Sequence, residues 1–199
     1  MITGMFGFPR AGKTTTLAYF SQRALKGKPL FIGHGSFRTY ITEHTHYKNI
    51  FSTVPLPGCY QLDFDMLGHY NYHDCLIIID EISHFCDCRD WKNFTSDLRY
   101  FFTMHGHYNV DIIYCGQNYK DCDKKITNMT MQLLKIQKHG GFTVITPMKA
   151  KECTVNGIPE LRFVDAPPLG RTLIRRKKYY KLFDSFERKQ LPDFDPVPW

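Results

Sequence analysis

The chain has 199 residues, 43% of them hydrophobic and 15% aromatic, which is enough apolar surface to offset the ordering entropy of one α/β domain and excludes disorder for the bulk of it. Lys and Arg total 26 against 19 Asp and Glu, and the resulting charge of +7 suits a polyanionic partner or an anionic membrane surface, and suits plain solubility equally. No apolar run is long enough to span a bilayer, and Met1 leads directly into glycine-rich sequence without a charged and apolar leader, so a cytoplasmic protein is expected.

A short apolar run at residues 2–6 predicts a strand. It passes through GFPRAGKT into LAYFSQRALKGK, where Leu17, Ala18, Phe20, Ala24 and Leu25 recur at helical spacing and Gly27 supplies a stop ahead of Pro29. A second strand is expected at 30–32, then a polar, aromatic, weakly periodic surface segment at 33–49, then a strand at 49–54 before the turn material PLPGC. CLIIID at 75–80 is a continuous apolar run ending in an acid, as in a strand covered on both faces. Residues 92–105 read as a helix through Phe94, Leu98, Phe101 and Phe102, VDIIYCGQ at 110–117 as another buried strand, and YKDCDKKI as a short helix. Strands alternating with helices predict parallel βαβ units.

From about residue 128 the pattern changes to a hairpin around Gly140-Gly141 and a β-rich tail, which carries the cations Arg171, Arg175, Arg176, Lys177 and Lys178. The expected organisation is one domain overall, with a core at 1–150 and a basic, β-rich extension at 151–199 packed on it. The 7 cysteines (59, 75, 86, 88, 115, 122 and 153) include no CxxC pair, and several lie in apolar runs, which predicts free thiols in a reducing compartment. His84, Cys86 and Cys88 lack the second ligand pair that a structural zinc site needs.

Gly7-Phe8-Pro9-Arg10-Ala11-Gly12-Lys13-Thr14 is a complete G-x-x-x-x-G-K-S/T pattern between a predicted strand and a predicted helix. In such a loop the glycines let the chain curl so that its backbone N–H groups face phosphate oxygens, which makes Gly7, Pro9, Arg10, Ala11 and Gly12 the nucleotide-binding positions, Pro9 shaping the turn without an N–H of its own. Lys13 neutralises the β- and γ-phosphates, the Thr14 hydroxyl ligates magnesium, and Thr15 reaches the α-phosphate. ATP and Mg2+ are therefore the expected ligands. Asp80, at the end of its strand, would orient the magnesium beside this loop, and Glu81 is suited to align and deprotonate a water. Adjacent Asp and Glu favour hydrolysis over transfer to a metabolite. Gln117 would contact the γ-phosphate or the water from a neighbouring strand, since parallel strands open their C-terminal ends onto one crevice. Arg10, Arg89 and Arg99 could each serve as an arginine finger or lie on a solvated surface.

MFGFPRAGKTTT, CLIIIDEISHFCDCRDWKNF, HYNVDII running into Gln117, and YYKLFDSF together resemble the zonula occludens toxin-like family, which includes the filamentous-phage assembly ATPases and sits in the FtsK–HerA branch of P-loop motors. The resemblance implies a RecA-like P-loop NTPase fold with a mainly parallel central sheet flanked by helices. It also implies ATP hydrolysis, a homo-oligomeric ring, and movement of phage DNA or coat-protein complexes at the inner face of the membrane, with a separate membrane-anchored partner. It makes Lys13 and Thr14 the phosphate-loop pair, Asp80 and Glu81 the magnesium-side acid and catalytic glutamate, and Gln117 the strand-end sensor.

Two departures stand out. Gly106-His107 occupies the place of a family Arg-His pair, so that arginine's role is lost or moved to Arg99 or Arg89. The chain stops at Trp199, where long members continue into a membrane span and tail, which implies a shorter soluble form of prophage origin without toxin activity. Two other classes stay open: an ATP-dependent recruitment switch with slow hydrolysis, and a small-molecule or nucleotide kinase with the basic tail as lid. The run 175–178 reads either as a grip on a nucleic-acid backbone or anionic membrane, or as a solvated edge. Residues 34–47 read as a partner-binding insertion or as a covered loop.

Overall fold

The computed structural model describes residues 1–70, 72–86, 95–155 and 158–183, without side chains at 120 and 150–162. In chain order, β1 (Ile2–Phe6) leads into α1 (Lys13–Ala24), followed by the short strands β2 (Phe31–Ile32) and β3 (Thr39–Tyr40). Next come β4 (Asn49–Ser52), β5 (Tyr60–Gln61), β6 (Cys75–Ile79), α2 (Ser96–Met104), β7 (Asp111–Gly116) and α3 (Lys124–Met129). The chain then runs through β8 (Gln132–His139), β9 (Phe142–Val155), β10 (Ile158–Asp165) and β11 (Thr172–Arg175).

Six strands lie side by side and parallel in the order β5-β4-β6-β7-β1-β8, and β9 joins antiparallel to β8, with β10 and β11 antiparallel to β9. The residues of β6 alternate between two apolar layers. Ile77 and Ile79 pack with Phe101 and Phe102 of α2, whereas Leu76 and Ile78 pack with Leu17 and Phe20 of α1. A strand covered on both faces must be apolar throughout, which is why β6 and β7 stand out in the sequence. Because β7 separates β1 from β6, the loop after β1 and the acid after β6 are two strand spacings apart, about 10 Å.

The α/β class with a mainly parallel sheet flanked by helices is as expected, and several details differ. β2 forms inside 30–32 but pairs only with β3, outside the central sheet. The segment 33–49 is not a plain surface stretch: Ile41 is fully buried, and residues 43–47 close over Asp111. The position at 150/151, expected to separate core from extension, falls within the unbroken β9, so the β-rich tail prolongs the same sheet. Phe94 and the rest of 92–94 lie outside the described residues, as do Cys88, Arg89 and the tail from 184; the helix there is described from Ser96. No helix among the described residues is long and apolar enough to cross a membrane.

Asp111 ties the N-terminal strand to this covering segment. Its fully buried carboxylate accepts hydrogen bonds from the Met1 ammonium at 2.7 Å, the Glu43 and His44 amides at 3.2 and 2.9 Å, and the Tyr47 hydroxyl at 2.8 Å. Burial by itself pushes the carboxyl upward, but the ammonium and the converging donors outweigh it and hold Asp111 below the usual carboxylate range. Cys59, Cys75, Cys86 and Cys115 are buried free thiols, Cys122 is buried as well, and burial pushes Cys59 up to about 12.

Candidate functional site

The crossing from β1 to α1 depends on two glycines held against the neighbouring strands β8 and β9. A β-carbon at Gly7 would collide with the Ile136 carbonyl of β8, and one at Gly12 would collide with the Thr143 side chain of β9. Gly12 also has φ 106°, in the left-handed region that a side chain disfavours. Arg10 occupies the same region at φ 61° without being glycine, at a cost of about 1–2 kcal/mol. No side chain caps α1, so the amides of its first turn open toward the space above the loop, the arrangement that receives anions at helix N-termini.

The polar groups converge there in pairs. Lys13 Nζ donates to the Gly7 carbonyl at 3.1 Å and lies 3.9 Å from Glu81 Oε2. Thr14 Oγ1 donates to Asp80 Oδ2 at 2.8 Å, and the buried Cys115 thiol donates to Asp80 Oδ1 at 2.6 Å. The Asp80 amide donates to Thr53 Oγ1 at 2.8 Å, which fixes the end of β6 against the end of β4. The strand period accounts for Asp80: Leu76 and Ile78 face α1, so two residues on Asp80 does too. Glu81 would then point away, but its left-handed backbone at φ 53° turns the chain and returns its carboxylate to Lys13.

Burial first, and then the Asp80 charge, push the Cys115 thiol well above its ordinary range, so it remains a protonated donor and not a soft metal ligand. What faces the loop is a hydroxyl and a carboxylate, a hard oxygen set that fits Mg2+.

These groups edge a cleft of about 590 Å³, within the usual size range of small-molecule sites. The family model for Zonular occludens toxin (Zot) matches residues 33–187. The chain belongs to the Zot family. That match contains Asp80, Glu81 and Gln117 and begins after the phosphate loop, so the loop rests on its own spacing and geometry.

The N-terminal domain of zonular occludens toxin from Neisseria meningitidis has the same fold, with 16% identity, 92% of this Zot-family chain and 98% of that chain covered, and a TM-score of 0.53. More distant likenesses are the genome packaging NTPase B204 from Sulfolobus turreted icosahedral virus 2 in complex with ATP-gammaS (10% identity, 73% and 91% covered, TM-score 0.46) and Thermomonospora curvata EccC (10%, 98% and 44%, 0.47). No curated protein sequence matches the chain.

In this Zot-family chain Pro9, Arg10, Gly12, Lys13, Thr14 and Thr15 line the cleft from the loop, and Asp80, Glu81 and Gln117 line it from the strand ends. Gly7 and Ala11 do not: Gly7 holds Lys13 through its carbonyl, and Ala11 is buried under α1. Arg99 is exposed on α2 and absent from the lining, whereas Arg10 is part of it.

The structure adds Cys115, Thr53 and His84 beside the acids, and Arg176, Tyr180 and Phe183 from the chain after β11. The strand register places Cys115: Ile79 pairs with Tyr114, so the next step sets Asp80 beside Cys115, a register that the sequence alone does not fix. Nothing local in the sequence marks Arg176 among its basic neighbours.

Proposed function

We propose that this Zot-family chain hydrolyses ATP in the cleft after β1. Assembled as a homo-oligomeric ring, it would couple turnover to assembly, packaging or export of phage DNA or virions at the cell envelope. The supporting observation is the 2.8 Å bond between Thr14 and Asp80 at the mouth of a glycine loop, with Lys13 and Glu81 facing each other beside it. Phosphates entering at the α1 N-terminus draw Lys13 from Glu81, which frees that carboxylate to accept a proton from the attacking water. Gln117, exposed at the end of β7, is the polar group positioned to contact the γ-phosphate or the water. Thr14 and Asp80 would hold Mg2+, which when bound neutralises charge on the β- and γ-phosphate oxygens. In this reading the protein works in the cytoplasm at the inner face of the membrane, with a separate membrane-anchored partner.

Phosphate release from ATP, followed across a protein-concentration series with and without single-stranded and duplex DNA, tests the reading. Turnover that rises with concentration or DNA and disappears in Lys13→Ala is the expected result. Tight ATP binding with negligible turnover throughout would replace the motor by a recruitment switch, and transfer to an acceptor other than water would replace it by a kinase.

A finer expectation concerns Cys115. Cys115→Ser keeps a donor on Asp80 and should hold turnover within about threefold of the parent, while Cys115→Val leaves that oxygen without its donor and should slow it about tenfold, as loss of a buried bond to a charged group implies. Equal rates for the two variants would show that the thiol has no part in positioning Asp80.

A further inference from the structure

We propose that the turn after β11 forms the nucleobase half of the cleft, with Tyr180 and Phe183 as an aromatic wall and Arg176 as a cation presented to the polyphosphate from the same chain. This rests on the ATP reading above and goes further, because it assigns the base recognition and a cis arginine to the tail.

The basic cluster divides by direction. Arg175, Lys177 and Lys178 are exposed and, with Lys181, line a separate cationic cleft, whereas Arg176 turns inward to the phosphate loop. Its Nη2 donates to the Arg10 carbonyl at 3.2 Å, which sets the guanidinium at the edge of the phosphate loop. A guanidinium carries five donors in a planar fork, and the one bond to Arg10 leaves this cation at the loop edge with donors to offer an anionic oxygen.

The two tyrosines divide likewise. Tyr179 is buried edge-on against Tyr19 of α1, with ring centroids 5.7 Å apart, and anchors the turn. Tyr180 is 49% exposed, lines the cleft beside Phe183, and has the Arg176 guanidinium 5.4 Å from its ring centre. An aromatic face left open next to a cation is the arrangement on which a nucleobase stacks while its phosphates are held.

The backbone fixes this geometry before any ligand arrives. The Arg176 amide donates to the Gly141 carbonyl at 3.0 Å, and the Tyr179 and Leu182 amides close two successive tight turns at 2.9 and 3.0 Å. A ligand therefore does not have to order the tail in order to use it, and a cis arginine should act independently of protein concentration, unlike one supplied by a second subunit.

Calorimetric titration of the full chain with a β,γ-methylene ATP analogue, and separately with tripolyphosphate, tests the assignment. Tyr180→Ala should weaken the analogue about tenfold and leave tripolyphosphate unchanged, with Tyr180→Phe restoring the parent value. Arg176→Ala should weaken both ligands about tenfold, at every protein concentration, with partial recovery in Arg176→Lys.

Parental analogue affinity in a folded Tyr180→Ala overturns the wall, and parental tripolyphosphate affinity in Arg176→Ala overturns the cis cation; in both cases a defective Lys13→Ala leaves the ATP reading intact. A parent protein that binds neither ligand removes that reading and this assignment together. Should Tyr180→Ala fail to fold, Tyr180→Leu gives the same test: it keeps apolar bulk without a π face, should weaken the analogue and leave tripolyphosphate unchanged, and parental analogue affinity in it overturns the wall.

Discussion

Glu81→Gln is expected to bind ATP with the parent affinity and to turn it over about 10²–10⁴ times more slowly, the range that a positioned general base contributes. Glu81 stands beside Lys13 at 3.9 Å and owes its direction to a left-handed backbone at φ 53°, not to the strand that delivers it. The amide keeps the shape and loses the ability to take a proton. Lys13→Ala should fail differently, losing the cation opposite the phosphates and therefore nucleotide binding as well as rate. Single-turnover phosphate release measured beside equilibrium nucleotide binding separates the two. A Glu81→Gln protein that hydrolyses ATP at the parental rate would place the base elsewhere in the cleft.

The second large effect concerns stability. Asp111→Ala removes the acceptor shared by the Met1 ammonium, two amides and Tyr47, and strands a charged donor at the base of β1. Breaking a buried pair in this way costs about 3–5 kcal/mol, which for a chain of this size lowers the melting temperature by about 10 °C.

The pH dependence has a definite sign. Asp111 is held below its ordinary range when folded, while the unfolded carboxyl titrates near about 3.9. Its stabilisation is therefore complete above that unfolded value and is lost as pH falls through the lower, folded one. Thermal melts between neutral pH and about pH 3 should show the parent losing stability more steeply than Asp111→Asn, whose side chain does not titrate there. Parallel curves would show that other carboxylates dominate the acid limb.

The parts of this molecule legible in sequence are those where a local rule has one solution. An all-apolar run such as CLIII has no place but a doubly covered strand, and a glycine loop between strand and helix has few uses other than anion binding. What stayed hidden depends on distant partners. The covering segment at 33–49 grips Asp111 largely through the Glu43 and His44 amides, and backbone donors to a buried carboxylate 68 residues from Glu43 leave no periodic trace. Arg176 and Tyr180 look like members of a basic, aromatic run; only the pairing of β11 with β9 turns one arginine and one tyrosine of that run toward the loop. The left-handed turn at Glu81 was equally unreadable, since glutamate gives no hint of positive φ.

The strand β9 is in effect a beam shared by two structures. At Thr143 its side chain forms the floor under Gly12, while its backbone at the same residue pairs with Ile174, two positions before Arg176. Loop and tail therefore rest on a single support: a displacement of β9 at Thr143 would be felt at once by the surface beneath the phosphate loop and by the strand that delivers Arg176.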